Sequence, residues 1–247
     1  MHRTGFEDDH KPLFQVPHIV GKGPMPSTFP RTKFTTEFPK LKHPLGCDAA
    51  IHFATDPEIE KVALYPIEIP IRNGVHLVEF GLLKRDGRIV YVDVIPLRVQ
   101  EEAPWIAGRS KRVQAEVARR FYHATYTVLD ERSLHIEPRM VNLRVMFSHL
   151  GSDDTKALNR VREVIHEIPL PATIAEIREA ADLAPLAFEY FDGHGRRDYF
   201  DPLEDVDRTF TALMQLATDG EIDIDTSRRF NDQTTVWATT RSYAYEA

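Results

Sequence analysis

The sequence predicts two folded parts: an α/β domain built on a mixed sheet, then a mostly helical domain that closes with a short hairpin. Three observations predict this. Two apolar runs, Leu77–Leu83 and Ile89–Ile95, flank the turn Lys84-Arg85-Asp86-Gly87-Arg88, and Asp-Gly between apolar runs signals a hairpin. A helical pattern and another strand follow that hairpin at once, which is the order of an α/β domain. Beyond residue 151 the apolar period becomes helical. A chain of 247 residues suits one large domain or two small ones.

Residues 1–44 read as an arm. Pro12, Pro17, Pro24, Pro26, Pro30, Pro39 and Pro44 recur with Gly21 and Gly23, a density that prevents a regular helix. Such an arm would wrap the next domain through Phe29, Phe34 and Phe38. Residues 45–150 form the α/β domain. Val62–Ile71 alternates but is broken by Pro66 and Pro70, and the two hairpin strands follow. Ser110–His123 is a helix with Val113, Val117 and Phe121 on one face and Arg112, Arg119 and Arg120 toward solvent. Tyr126–Leu129 is a strand, and Arg139–Leu150 a helix. Gly151-Ser152-Asp153-Asp154 marks the boundary. In residues 151–247, helices are expected over Lys156–His166, Thr173–Ala184 and Asp205–Thr218, the last capped at Asp219-Gly220. Ile222–Ile224 and Thr234–Thr239 are short strands. Helices followed by a small hairpin suggest a winged-helix-like domain.

Composition narrows the function classes. The chain is 42% hydrophobic and 28% charged, as folded proteins are. No apolar run reaches the ~20 residues of a membrane helix, and the N-terminus lacks a secretory pattern. The only cysteine, Cys47, excludes an intrachain disulfide and a Cys-rich zinc site. These features suit a cytoplasmic protein. Net charge is −7, unevenly spread: residues 1–150 hold 21 Lys+Arg against 18 Asp+Glu, and residues 151–247 hold 10 against 20. The first half suits an approach to DNA phosphates; the acidic second half reads better as a surface for a protein partner.

The hairpin is where chemistry is expected. With Gly87 left-handed in a three-residue turn, Lys84 pairs with Arg88, and Glu79 falls opposite Asp93 on the same face. A two-residue turn would separate the two acids. Paired carboxylates repel unless a cation relieves them. Oxygen ligands favour magnesium or manganese, which would activate water at a scissile phosphate. The plain alternative is two polar residues on the wet face of a sheet. Against it, Asp93 sits within Ile89-Val90-Tyr91-Val92-Asp93-Val94-Ile95, and a carboxylate there needs water, a partner or a metal. His76, three residues before Glu79, faces the opposite side of a regular strand and reads as a surface residue.

Leu77-Val78-Glu79-Phe80 and Val92-Asp93-Val94-Ile95 resemble the catalytic strands of the TnsA-like family. These are restriction-endonuclease-like subunits of heteromeric transposases that cut at transposon ends. Asp56-Pro57-Glu58-Ile59-Glu60-Lys61-Val62, Lys111 to Tyr122 and Tyr126-Thr127-Val128-Leu129-Asp130-Glu131 also resemble family segments. So do Asn142-Leu143, Leu213 to Asp225 and Thr234-Thr235-Val236-Trp237. The resemblance covers roughly residues 45–240. It implies a restriction-endonuclease-like core, a magnesium-dependent cut in DNA, and partners that include a transposase subunit and an ATPase regulator. By position it implies Glu79 and Asp93 as catalytic metal ligands and Asp48 as the first acidic residue. The departures are Glu79 in place of the family aspartate and Ile95 in place of its lysine. Lys84, Arg109 or Lys111 are the cations near enough in sequence to replace that lysine.

Three functions are therefore open. One is a metal-dependent DNA endonuclease. Another is a catalytically silent subunit that binds DNA through Lys111, Arg112, Arg119, Arg120 and Lys84 and docks partners through its acidic half. A third is an unrelated α/β DNA-associated protein sharing only the hairpin. His194, between Gly193 and Gly195, reads as a turn. Arg196, Arg197, Arg228 and Arg229 lie near the expected wing. Cys47 reads as a buried small residue.

Overall fold

The computed structural model describes residues 3–7, 13, 33–35, 41, 43–71, 74–184, 189–191, 197–199 and 207–239. The chain divides into two units, Met1–Leu143 and Arg144–Ala247. The division falls inside a helix, ahead of the Gly151 boundary expected from sequence. Among the described residues no helix is long and apolar enough to cross a membrane.

The first unit runs α1 (Pro44–Thr55), β1 (Ile59–Leu64), β2 (Glu68–Ile71), β3 (Gly74–Leu77), β4 (Phe80–Lys84), β5 (Ile89–Val94), α2 (Leu97–Glu102), α3 (Trp105–Arg120), β6 (Ala124–Leu129) and α4 (Glu131–Leu134), and the division falls within α5 (Arg139–His149). Its main sheet has the order β1-β4-β5-β6. The first two pairings are antiparallel and β5–β6 is parallel, so the sheet is mixed, as expected.

Helix α1 is absent from the sequence reading, which ran the proline-rich arm up to it. Its signal was present. Pro44 stands at the first helical position, where a missing N–H costs nothing, and the His43 side chain caps the helix by accepting from Gly46 N. Ala49, Ala50, Phe53 and Ala54 then bury one face. Of the arm, residues 33–35 lie along β1: Phe34 bridges Val62, and Lys33, itself buried, donates to Asp56 O at 2.6 Å. Phe29 and Phe38 lie outside the described residues.

The hairpin forms in the expected register. Phe80 faces Val92 and Leu83 faces Ile89, Lys84 N donates to Arg88 O at 2.8 Å, and Gly87 takes φ 82°. The neighbouring hairpin is less regular. Leu64 faces Phe80, whereas Glu68 faces Leu77. Four steps on one strand thus oppose three on the other, so an extra residue bulges out at Tyr65-Pro66-Ile67. Pro66 has no N–H for the ladder, and Tyr65 sits at φ 47°, which is uncommon for a bulky side chain.

Opposite that bulge the strand itself is broken, β3 ending at Leu77 and β4 beginning at Phe80, and side-chain facing slips at Val78-Glu79. Residues two apart normally share a face. Yet Val78 packs with Ile69, Tyr91, Val113, Val117 and Tyr126 under α3, while Phe80 packs edge-on against Phe53 of α1, centroids 5.1 Å apart. Alternation therefore slips between the two.

The second unit contains α6 (Thr155–Glu167), β7 (Ala172–Thr173), α7 (Ile174–Ala181), β8 (Glu189–Phe191), β9 (Arg197–Tyr199), α8 (Arg208–Asp219), β10 (Ile222–Ile224) and β11 (Thr235–Ala238). The strand β7, too short to read from sequence, completes a sheet of order β10-β11-β7. Thr173 and Glu176 form a capping box on α7. Gly220, at φ 77°, caps α8 in the left-handed conformation, as expected. Helix α8 is buried along most of its length. Its leading cation, Arg208, is held by Asp154 at 2.7 Å.

Candidate functional site

The slip at Glu79 decides which side chains meet. Asp93 lies on β5 two residues beyond Tyr91, on the side of the sheet covered by α3. His76, two residues before Val78, comes to that same side. Its Nε2 lies 2.5 Å from Asp93 Oδ2. Tyr126, on the parallel neighbour β6, donates its hydroxyl to the same oxygen at 2.6 Å. The other oxygen, Oδ1, accepts from Glu79 N at 3.1 Å. Asp93 is thus 4% exposed with three hydrogen-bonding partners. Burial alone would raise its pKa; the bond and charge of His76, then Tyr126 and the Glu79 amide, outweigh burial and hold the carboxyl below its ordinary value. On Tyr126, burial first and the Asp93 charge second push the hydroxyl strongly up, so it remains a donor.

This corrects two expectations. His76 is a half-buried partner of Asp93, its side chain 11% exposed. Glu79, although opposite Asp93 in register, sends its carboxylate elsewhere. One oxygen accepts from Val94 N at 3.2 Å. The other, Oε1, lies toward the first turn of α1, 3.7 Å from His43 Nε2. A side chain on Gly46 would come within 3.3 Å of it. Oε1 is buried and has no hydrogen-bond partner among the described residues. His43 is already committed: Nδ1 accepts from Gly46 N and Nε2 contacts Val94 O at 3.1 Å. An Nδ1 that accepts carries no proton, so the ring is neutral there.

The remaining candidates are placed as follows. Asp48 lies on α1 and pairs with His135 at 2.7 Å. Ile95, 7% exposed, is a core residue following β5. Lys84 is tied to Asp56 at 3.1 Å beside the turn. Arg109, on α3, influences Tyr126 electrostatically and stacks on Trp105, 5.4 Å from the ring centroid. Lys111 and Arg112 are exposed on α3. Arg119 and Arg120 share Glu116 at 2.7 and 3.0 Å. Burial first, then the Asp48 and Glu79 charges, push the Cys47 thiol up to about 11, which removes it as a nucleophile at neutral pH. His194 and Arg196 lie outside the described residues.

A divalent metal does not fit this arrangement. Among the described residues no group of three or more His, Cys, Asp or Glu side chains is arranged to hold one. Three of the roughly four acceptor positions of Asp93 are taken by protein donors, both of those on Oδ2 among them, and Glu79 turns away toward α1. His76 and Tyr126 were the residues that sequence reasoning missed. The available signal was Pro66, since a proline inside a strand pattern marks a bulge.

No protein-family model matches the sequence, and no curated protein matches it.

Proposed function

We propose that this chain is a TnsA-like, restriction-endonuclease-like DNA-binding and assembly subunit of a transposition machinery, without metal-dependent cleavage of its own. The observation that carries the second half is that both Asp93 oxygens are held by protein donors, His76 and Tyr126 on Oδ2 and the Glu79 amide on Oδ1. Ile95 in the core, where the resemblance implies a lysine, supplies no cation for a scissile phosphate. The first half is supported by the resemblance and by the order of elements: a helix, three sheet strands in antiparallel succession, a helix, and a fourth strand parallel to the third. A restriction-endonuclease-like core has this order.

The DNA-facing surface is α3. Its exposed positions include Ala107, Gly108, Lys111, Arg112, Gln114, Ala115, Ala118 and Arg119. Cations and small residues alternate there, and the acid of this helix, Glu116, is turned to Arg119 and Arg120. Such a face suits close approach to a phosphate backbone and carries little base-reading chemistry. In the second unit, three helices with β10-β11-β7 follow a winged-helix order, yet α8, in the position that would read DNA, is buried and its Arg208 is committed to Asp154. With its acidic balance, this unit is read as the docking surface for a transposase or an ATPase regulator.

The experiment is duplex binding by fluorescence anisotropy across a salt series. Lys111→Ala/Arg112→Ala should weaken binding uniformly across sequences and reduce the slope of log K against log salt by about 2. An unchanged slope would reject α3 as the contact. Cleavage of DNA by the wild type with magnesium or manganese, abolished by Asp93→Asn, would restore the endonuclease reading. The unpartnered Glu79 Oε1 is the observation in favour of that second reading.

A further inference from the structure

We propose that the outer edge of β6 is a dimerisation surface: β6 pairs antiparallel with β6 of a second copy of this chain, about a twofold axis at Thr127. The pairing involves the backbone of the first unit and does not depend on DNA.

The main sheet ends in two edges, β1 and β6. An edge strand presents amides and carbonyls that another chain can join. The β1 edge is covered by this chain's own residues 33–35: Val62 N donates to Lys33 O at 2.7 Å, and Thr35 N to Val62 O at 2.9 Å. Among the described residues no strand pairs with the far side of β6. The ladder fixes which groups point there. Ile95 N donates to Leu129 O at 2.9 Å, so the Leu129 backbone faces β5, and by alternation those of Thr127 and Thr125 do too. The amides and carbonyls of Tyr126 and Val128 therefore point outward, and no described residue bonds them. Edges are normally blunted by charge, proline or a bulge. Ala124-Thr125-Tyr126-Thr127-Val128-Leu129 carries no charge and no proline, and its register with β5 is unbroken.

The strand's own pattern selects its occupant. Outward groups on two antiparallel strands lie directly opposite each other. Ala124 N is already donated to Phe121 O at 3.2 Å. A register centred on Tyr126 sets Ala124 against Val128 and leaves the Val128 carbonyl without a donor. Centred on Thr127, each Tyr126 faces Val128 of the other copy, and every outward amide and carbonyl of both residues is bonded. Thr127 then faces its own copy, and Thr–Thr is a favourable cross-strand pair. Arg119, Arg120 and His123 precede the strand, and Asp130 and Glu131 follow it. Antiparallel pairing thus sets the basic end of one copy beside the acidic end of the other. The axis is perpendicular to the sheet, so both α3 helices stay on one face of the joined sheets. A six-residue edge buries less than the about 800 Å² per partner of a standard interface, so the dimer is weak and concentration-dependent.

The test is sedimentation velocity on the full chain without DNA, across a hundredfold concentration range. Wild type should pass from monomer to dimer. Thr127→Lys sets two ammonium groups face to face and should abolish the dimer, as should Thr127→Glu; an equimolar mixture of the two variants should restore it. Oxidation of Thr127→Cys in a Cys47→Ala background should give a disulfide-linked dimer, because opposed Cα atoms about 4.5 Å apart lie within disulfide reach. Thr125→Cys, which faces Leu129 of the other copy, should not crosslink. If circular dichroism shows the charge variants unfolded, the crosslink decides, and its absence at position 127 overturns the proposal. A wild type that stays monomeric, a dimer indifferent to both charge variants, or equal crosslinking at positions 125 and 127 also overturns it. None of these outcomes bears on α3 as the DNA contact, and an unchanged salt slope in Lys111→Ala/Arg112→Ala would leave the dimer intact.

Discussion

Tyr126→Phe isolates one of the three donors that hold Asp93. The ring shape is unchanged, so core packing under α3 is preserved and only the 2.6 Å bond to Oδ2 is lost. A hydrogen bond to a charged partner contributes about 1.5–3 kcal/mol, and Tyr126 is buried, so the expected loss is about 2 kcal/mol. Urea unfolding at neutral pH should show a lower midpoint with unchanged slope, and Tm should fall by about 6 °C. The pH dependence has a definite sign. Despite burial, His76, Tyr126 and the Glu79 amide hold the folded Asp93 carboxyl below its ordinary value. Its stabilising contribution is complete above the unfolded carboxyl value of about 4 and disappears as pH falls through the lower folded value. The gap between wild type and Tyr126→Phe should therefore stay constant from about pH 8 to 5 and narrow below about 4. A loss under about 0.5 kcal/mol at neutral pH would refute the argument, because a carboxylate that depends on Tyr126 cannot lose it so cheaply. So would a gap unchanged through the acid range.

Three further substitutions probe other parts of the argument. Glu79→Gln should raise stability by about 1 kcal/mol in urea, because it replaces a buried charged oxygen that lacks a partner; a loss of that size would show that Oε1 is compensated. Ile95→Lys should cost about 3 kcal/mol by the same assay and leave DNA uncut with manganese, since it buries an ammonium in the core; restored cleavage would refute the silent reading. Arg208→Met should lower the stability of the second unit by about 2 kcal/mol, because Asp154 Oδ2 and Ala184 O lose their Arg208 donors and Asp154 Oδ1 keeps only Ala157 N. A melt unchanged by Arg208→Met would show that these bonds are replaced by water.

Local rules carried the sequence reading where one chain segment decided the outcome. The Asp86-Gly87 turn set the β4–β5 register, Gly220 ended α8, and the Val113/Val117 stripe placed α3 against the sheet. Reading failed where two segments had to be compared. The identity of the residue facing Asp93 depends on the break between β3 and β4 at Val78-Glu79, opposite the extra residue at Tyr65–Ile67, where His76 and Glu79 exchange the expected roles. Alternation along β3 and β4, taken as one unbroken strand, gives the opposite answer. Helix α1 failed for another reason: Pro44 belongs both to the proline-rich arm and to the first turn of a helix, and its meaning depends on the His43 cap beside it.

The slip also bears on how Glu79, His76 and Ile95 fit together. A shorter acid at position 79 would reach less far toward α1, whereas the glutamate extends to Val94 N and lies close to Gly46. With that carboxylate engaged toward α1, no second acid remains to share an ion with Asp93, and a buried Asp93 without a counter-group would be costly. His76 and Tyr126 remove that cost from the α3 side. Once Asp93 is held by protein donors, a lysine at position 95 has no phosphate to serve, and an apolar side chain packs better in its place. Glu79, His76 and Ile95 are thus one physical solution, in which each residue makes sense only with the other two. Under the proposed TnsA-like reading, a single change toward the family residue at position 79 or 95 is therefore expected to cost stability and not to give a working nuclease.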